Sequence, residues 1–331
     1  MRLAAWFAAF STVLGLMFAA PAAMAQTGVV PAYDHVFLII EENHGLAQII
    51  GNPAAPNMTA LLHTYGLATS YFSTTDPSAP NYVAMLGGDA FGIADDNAYY
   101  LHLLDKPNLM SQLDQAGIPW KGYLQSMPHR GYLGLCFPGR CNGVPDVSAL
   151  YGTKHNGLVY FRHNIATGAK RDKMAPITEL AADLAAGPPR FRYIVPDHCT
   201  DMHGSPPWCG DSGNPGGKLD NVLVSRGNAY VAQLVAMITA APFWPTGNNA
   251  IIITFDEGNG TGGCCDAIPG TGRVYTAVIT SRGPRGLVDD THYNHYSLLR
   301  TIETAFRVGC VGFACDTANV PVMTPLFAVG K

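Results

Sequence analysis

The sequence predicts an α/β fold, a three-layer αβα sandwich around a largely parallel central sheet. Three observations lead there. Short apolar runs recur along the chain, each nearly continuous, as strands buried on both faces require. Between them lie apolar residues at helical spacing. Several strand runs end abruptly in ionisable residues, which suits an open α/β sheet whose chemistry sits beyond the carboxyl ends of its strands.

Taken in order, residues 1–25 stand apart. Arg2 opens a stretch rich in Ala, Phe, Leu and Val that closes on Ala23-Met24-Ala25, the pattern of a cleaved secretory signal peptide. Residues 26–331 hold no repeat, charge block or linker and are expected to form a single domain. The first strand is "HVFLII" (35–40). Met58, Leu61, Leu62 and Tyr65 share one helical face, and "NYVAML" can begin a helix near Pro80, with Ser78 at its N-terminus. The Gly/Pro-rich stretches 127–145 and 204–217 read as loops. "ITELAADLAA" (177–186) and "AYVAQLVAMITA" (229–240) read as helices. "FRYIV" (191–195), "AIIITF" (250–255) and "VYTAVIT" (274–280) read as strands. Leu298, Leu299, Ile302 and Phe306 form a last helical stripe.

Composition narrows the function. The 331 residues are 48% hydrophobic and 13% charged with a formal net charge of −4, so the core is large and no basic surface for nucleic acid is expected. No later apolar run is long enough to anchor the protein in a membrane. All eight cysteines follow the signal peptide, an even number suited to disulfides outside the cytoplasm. Spacing favours Cys136–Cys141, Cys199–Cys209 and Cys310–Cys315. Cys264 and Cys265 are adjacent, and a bridge between neighbours is strained, so either can pair elsewhere. The sequence says nothing of oligomeric state.

The ends of the strands carry the chemistry. "HVFLII" runs into Glu41, Glu42, Asn43 and His44. "FRYIV" runs into Asp197 and His198, with Asp201 and His203 close behind, and "AIIITF" runs into Asp256 and Glu257. Gathered carboxylates repel unless a cation neutralises them, and carboxylate and amide oxygens suit a hard or borderline divalent ion, Mg, Ca, Mn or Zn. Ser78 is bracketed by Pro77 and Pro80, at a helix start whose free N–H groups favour an anion.

"PSAPNY" (77–82), with the preceding "EEN" (41–43), resembles the secreted phosphoesterases that include bacterial acid phosphatases and phospholipase C-like enzymes, within the alkaline phosphatase superfamily. Further landmarks stand in that family's order: "HN" at 155–156, "DMH" at 201–203, "FDEG" at 255–258 and "HYSLLRTIE" at 295–303. The resemblance spans residues 34 to 307. It implies an alkaline phosphatase-like fold and one divalent metal on Glu42, Asn43, Ser78, Asp256 and Glu257. It implies that Ser78 is the nucleophile and that Asn81 holds a phosphoryl oxygen. It places Asp201, His203 and His295 where relatives hold a second metal or use side chains around the phosphoryl group, the one-metal members implying the latter, with His203 or His295 to protonate the leaving oxygen or stabilise the phosphoryl oxygens. His155 is a candidate substrate contact, although Gly157 stands where the family carries proline after the "HN" step. Glu41 is expected to support the ligands rather than join them.

The expected activity is therefore hydrolysis of phosphate monoesters through a phosphoserine, with phospholipase C-type diester cleavage as the alternative. A serine hydroxyl is a poor nucleophile at its free pKa, and metal coordination would favour its alkoxide. Two enzymatic rivals fail on residues. Sulfatases carry Arg where Tyr82 stands, and a serine esterase needs a G-x-S-x-G elbow where Asp76 and Pro80 flank Ser78. A non-catalytic metal-binding protein of this fold would be expected to have lost a ligand or the nucleophile, and all are present.

Overall fold

The computed structural model describes residues 29–139, 141, 148–206, 208–211, 218–258 and 272–328. The expected signal peptide, Cys264 and Cys265 lie outside the described residues. Along the chain come β1 (His35–Glu41), α1 (Pro56–Thr64), β2 (Gly66–Ala68), α2 (Ser78–Gly87), α3 (Leu109–Gln115), β3 (Trp120–Leu124), β4 (Met174–Pro176), α4 (Leu180–Ala186) and β5 (Phe191–Val195). Then follow α5 (Lys218–Thr239), β6 (Asn249–Phe255), β7 (Thr276–Thr280), β8 (Leu287–Asp289) and α6 (His295–Phe306).

The eight strands form one sheet in the order β8-β2-β7-β6-β1-β5-β3-β4. Only β7 runs antiparallel to both neighbours; the other pairings are parallel. The fold is thus mixed α/β with a large, largely parallel central sheet. β1 lies between β6 and β5, with Leu38 level with Ile252 on one side and Tyr193 on the other. Its residues Val36 to Ile40 are fully buried, which accounts for the unbroken apolar run: no face of this strand meets water. Helices α1 and α5 pack together, as do α2 and α6.

The helix expected from Pro80 begins two residues earlier, at Ser78. Pro80 fits inside the first turn because an N–H there has no intrahelical partner to lose. Gly88 ends the helix at φ +73°, where an added Cβ would lie 2.3 Å from the Val311 carbonyl oxygen, so glycine is required on two counts. The residues "NYVAML" are wholly buried and line the core. Stretch 204–217 is not loop throughout, since Gly204–Ser205 pairs with Gly210–Asp211. The three local disulfides form as the spacing suggested, Cys136–Cys141, Cys199–Cys209 and Cys310–Cys315. Among the described residues, no helix is long and apolar enough to cross a membrane.

Candidate active site

Because β5, β1 and β6 are adjacent and parallel, their carboxyl ends meet at one edge. Backbone bonds then join the segments beyond them: the Glu42 N–H donates to the Asp201 carbonyl at 2.7 Å, and the Asp256 N–H to the Glu41 carbonyl at 3.1 Å. Ser78 reaches the same place from the first turn of α2. Its hydroxyl does not cap the helix; it donates to Glu42 Oε2 at 3.0 Å.

Four acids and an amide crowd around that contact. Glu42, Asp201 and Asp256 are fully buried and Glu257 nearly so. Glu42 Oε1, Asn43 Oδ1 and Asp256 Oδ2 are buried without a hydrogen-bond partner. Such orphans are costly unless something else satisfies them. Asn43 is held at φ +27°, a conformation asparagine tolerates better than most residues, and its N–H lies 3.4 Å from Asp256 Oδ1. The two oxygens of Glu257 accept from the amides of Asn43 and Asn81 at 3.4 and 3.3 Å. Burial, then the charge of Asp256, pushes Glu42 well above the usual carboxylate range. Burial lifts Asp256 to about 7, and burial with Asp256 beside it lifts Glu257 to about 10. Two unsatisfied carboxylate oxygens and one amide oxygen among acids this crowded fit a divalent cation, which would satisfy the orphans and hold the acids ionised.

Histidines form the opposite wall. His155 Nδ1 lies 3.2 Å from Asp201 Oδ2, and its Nε2 lies 3.1 Å from Glu42 Oε1, within ion-pair reach but without hydrogen-bond geometry. The ring stacks on Tyr82, centroids 5.6 Å apart. His203 donates its backbone N–H to Asp201 Oδ1 at 2.8 Å, and its Nδ1 faces the Gly204 carbonyl at 2.9 Å. That carbonyl can only accept, so Nδ1 carries the hydrogen and Nε2 bears the lone pair, 3.3 Å from Lys154 Nζ. Burial opposes the charge of Lys154, yet Asp96 and Glu42 outweigh it and raise the pKa. His198 sits 4.7 Å from His155 and 5.3 Å from His203, ring to ring. Two donor sets result, Glu42 with His155 and His203, and His155 with His198 and Asp201, each with its atoms within 4.8 Å.

Other expected residues stand one layer back. Asn81 clamps the turn before Ser78: its Oδ1 accepts from the backbone N–H groups of Thr74 and Thr75, and its Nδ2 donates to the Thr75 carbonyl. His295 donates from Nε2 to the Asp256 carbonyl and accepts from the Tyr71 hydroxyl at Nδ1, 3.0 Å away. Burial lowers its pKa to about 4. Glu41 is buried with neither carboxylate oxygen bonded. His44 joins the Glu42 carbonyl to Asp220.

Lys154 and Asp220 were not singled out from the sequence, and His198 was read only as part of a strand-end cluster, without a role. His198 lies within the ionisable run after β5 and Lys154 adjoins the "HN" step, so both had a local signal. Asp220 had none.

A model of the phosphoesterase family matches residues 52–309, including Ser78, the histidine wall and Asp256. The chain belongs to the phosphoesterase family. Membership makes it a hydrolase acting on phosphate esters. The match starts beyond Glu42 and Asn43, whose place in the site rests on the geometry above.

Two relatives illustrate the range of this phosphoesterase family. The chain is 24% identical over 310 residues to the phosphatidylinositol-3-phosphatase of Mycobacterium tuberculosis, covering 93% of this chain and 88% of that one. It is 28% identical over 295 residues to the phosphate-repressible acid phosphatase of Penicillium chrysogenum, covering 81% of this chain and 64% of the fungal one. The phosphoesterase chain thus spans less than two thirds of the fungal relative. Among solved structures, a protein of the alkaline phosphatase superfamily from Vibrio parahaemolyticus superposes with TM-score 0.54 at 14% identity, covering 83% of this chain and 66% of that one. The zinc complex of the periplasmic domain of EcEptC from Escherichia coli gives 0.51 at 14% identity, covering 91% and 88%. These likenesses show that the fold is shared with solved structures that include a protein of the alkaline phosphatase superfamily.

Proposed function

We propose that residues 26–331 act as one secreted, metal-dependent phosphomonoesterase that works through a phosphoserine on Ser78. The observation that carries this reading is the Ser78 hydroxyl, 3.0 Å from a carboxylate whose other oxygen is an orphan. A serine that merely capped a helix would have no reason to turn toward Glu42. In this reading Glu42, Asn43, Ser78, Asp256 and Glu257 hold one divalent ion, which supplies positive charge for the Ser78 alkoxide and the phosphoryl oxygens.

Ser78 Oγ attacks phosphorus as its proton passes to Glu42 Oε2, its hydrogen-bond partner, and the ester oxygen leaves from the opposite side. The free N–H groups at the start of α2 face the charge that develops on phosphorus-bound oxygens. Lys154 adds a buried positive charge on the histidine wall. His203 is the proton donor to the leaving oxygen when its Nε2 is also protonated, and it regains that proton from the water that attacks the phosphoserine; His155 and Asp201 fix the wall on which it stands. His295 works through the Asp256 carbonyl, and Asn81 through the Thr74–Pro77 turn and Glu257. Water then attacks the phosphoserine along the same line and releases phosphate.

Monoester chemistry is favoured over diester cleavage because both curated relatives named above are phosphatases. Acid quench during turnover of a labelled phosphomonoester tests the reading. Label on the Ser78 peptide supports it; a native enzyme that turns over with no trapped label requires direct attack by water.

A further inference from the structure

Beside the site, an apolar trough of about 530 Å³ runs between the segment after His44, helix α1, strand β2 and the edge strand β8. Leu46, Ala47, Ile50, Leu62, Leu67 and Val288 form most of its wall. The volume is that of a small-ligand pocket. Val288 and Ala47 are exposed at its rim, so the trough is open to solvent.

One lining residue, Arg273, ties the trough to the catalytic edge. Its carbonyl accepts from the Leu46 N–H at 2.9 Å, directly after the Glu42-Asn43-His44 run. It is bridged to Phe72, on the segment that leads to Ser78. A Cβ on Gly258, next to Glu257, would lie 3.6 Å from the same carbonyl. The backbone of Arg273 therefore touches the segments that carry Glu42, Ser78 and Glu257, while Arg273, an exposed cationic residue, is itself part of the trough lining. An apolar channel that opens with a lone arginine beside a phosphoryl site matches an amphiphile with an anionic head.

We infer that the trough binds the alkyl chain of a phosphate ester whose phosphoryl group lies at Ser78. This deepens the proposed function and rests on it. Each methylene taken up from water should strengthen binding severalfold, so selection among esters follows chain length.

The test uses the metal-loaded enzyme with n-butyl, n-octyl and n-dodecyl phosphate below their micelle concentrations, beside p-nitrophenyl phosphate. We expect kcat/KM to rise at least about tenfold from butyl to dodecyl, carried by KM. Ala47→Trp and Val288→Asp should each remove that rise and leave p-nitrophenyl phosphate turnover unchanged. A flat series, or a rise that survives both substitutions, overturns the trough while hydrolysis of p-nitrophenyl phosphate keeps the phosphoesterase reading. Failure to hydrolyse any of the four esters overturns both. Calorimetric titration with dodecylphosphonic acid gives a readout free of turnover, and binding no tighter than butylphosphonic acid likewise overturns the trough.

Discussion

His44 Nε2 lies 2.8 Å from Asp220 Oδ1, with both side chains buried. The other ring nitrogen donates to the Glu42 carbonyl at 2.8 Å, so helix α5 holds the backbone from which two expected metal ligands project. Partners that hold ligands in place typically change metal affinity about 10–100-fold. Asp220→Asn should weaken metal binding by that order, read by calorimetric titration, with the α/β circular dichroism spectrum retained. Unchanged affinity would make the pair a fold element only.

Ser78→Ala separates nucleophile from packing. Activity should fall at least about 10⁴-fold, while stability changes by about 1 kcal/mol or less, since one hydrogen bond is lost and no helix cap. Turnover with p-nitrophenyl phosphate and a urea melt provide the two numbers. A variant that keeps a tenth of native activity would exclude the phosphoserine route.

Asp256→Asn should abolish stoichiometric metal binding and most activity. The sign for stability is opposite in the two forms. In the presence of chelator the variant should melt above the native protein, because a buried carboxylate beside Glu42 has become a neutral amide. With metal the native protein should melt higher. Metal analysis and melting scans with and without chelator check both halves.

Glu303, in α6, gives stability a pH dependence away from the metal site. It is buried, its Oε1 accepts the Val311 N–H at 2.9 Å, and burial lifts its pKa from 4.5 to about 8. Between those values the folded state holds a proton that the unfolded state has released, so stability falls as pH rises. The contribution is fully present below about pH 4.5 and gone above about pH 8, on the order of a few kcal/mol. Glu303→Gln keeps the acceptor and should flatten this part of the profile in urea midpoints at pH 5 and pH 8. Equal slopes in both proteins would remove Glu303 as the cause.

The strands that carry the acids were legible because burial on both faces leaves no room for polar alternation, as in β1 and β6. Their ends were legible for the opposite reason: Glu42 and Asp256 are hard to explain in a core without a cation. β3 was not legible. Lys121 interrupts its apolar run to pair with Glu179 and Asp183, and Gly122 is there because a Cβ would lie 2.5 Å from Leu158. Both reasons are tertiary. Lys154 and Asp220 were missed on the same ground, since each owes its place to a distant partner, Asp96 or His44. The start of α2 was misplaced by two residues because proline was read as the opening of the helix when it could sit within its first turn.

The position of β1 in the sheet also sets when the protein becomes an enzyme. Asn43 and Asp256 are 213 residues apart, and β1 has no neighbour on that flank until Asn249 to Phe255 have been synthesised. A growing chain thus carries Ser78 long before the strand that brings Asp256 and Glu257. Pairing over such a span is slow to nucleate, and any product ending before residue 249 would keep Ser78 and Glu42 without Asp256 and Glu257. Phosphate release is consequently a property of the finished chain, and its onset during refolding would report the docking of β6 against β1.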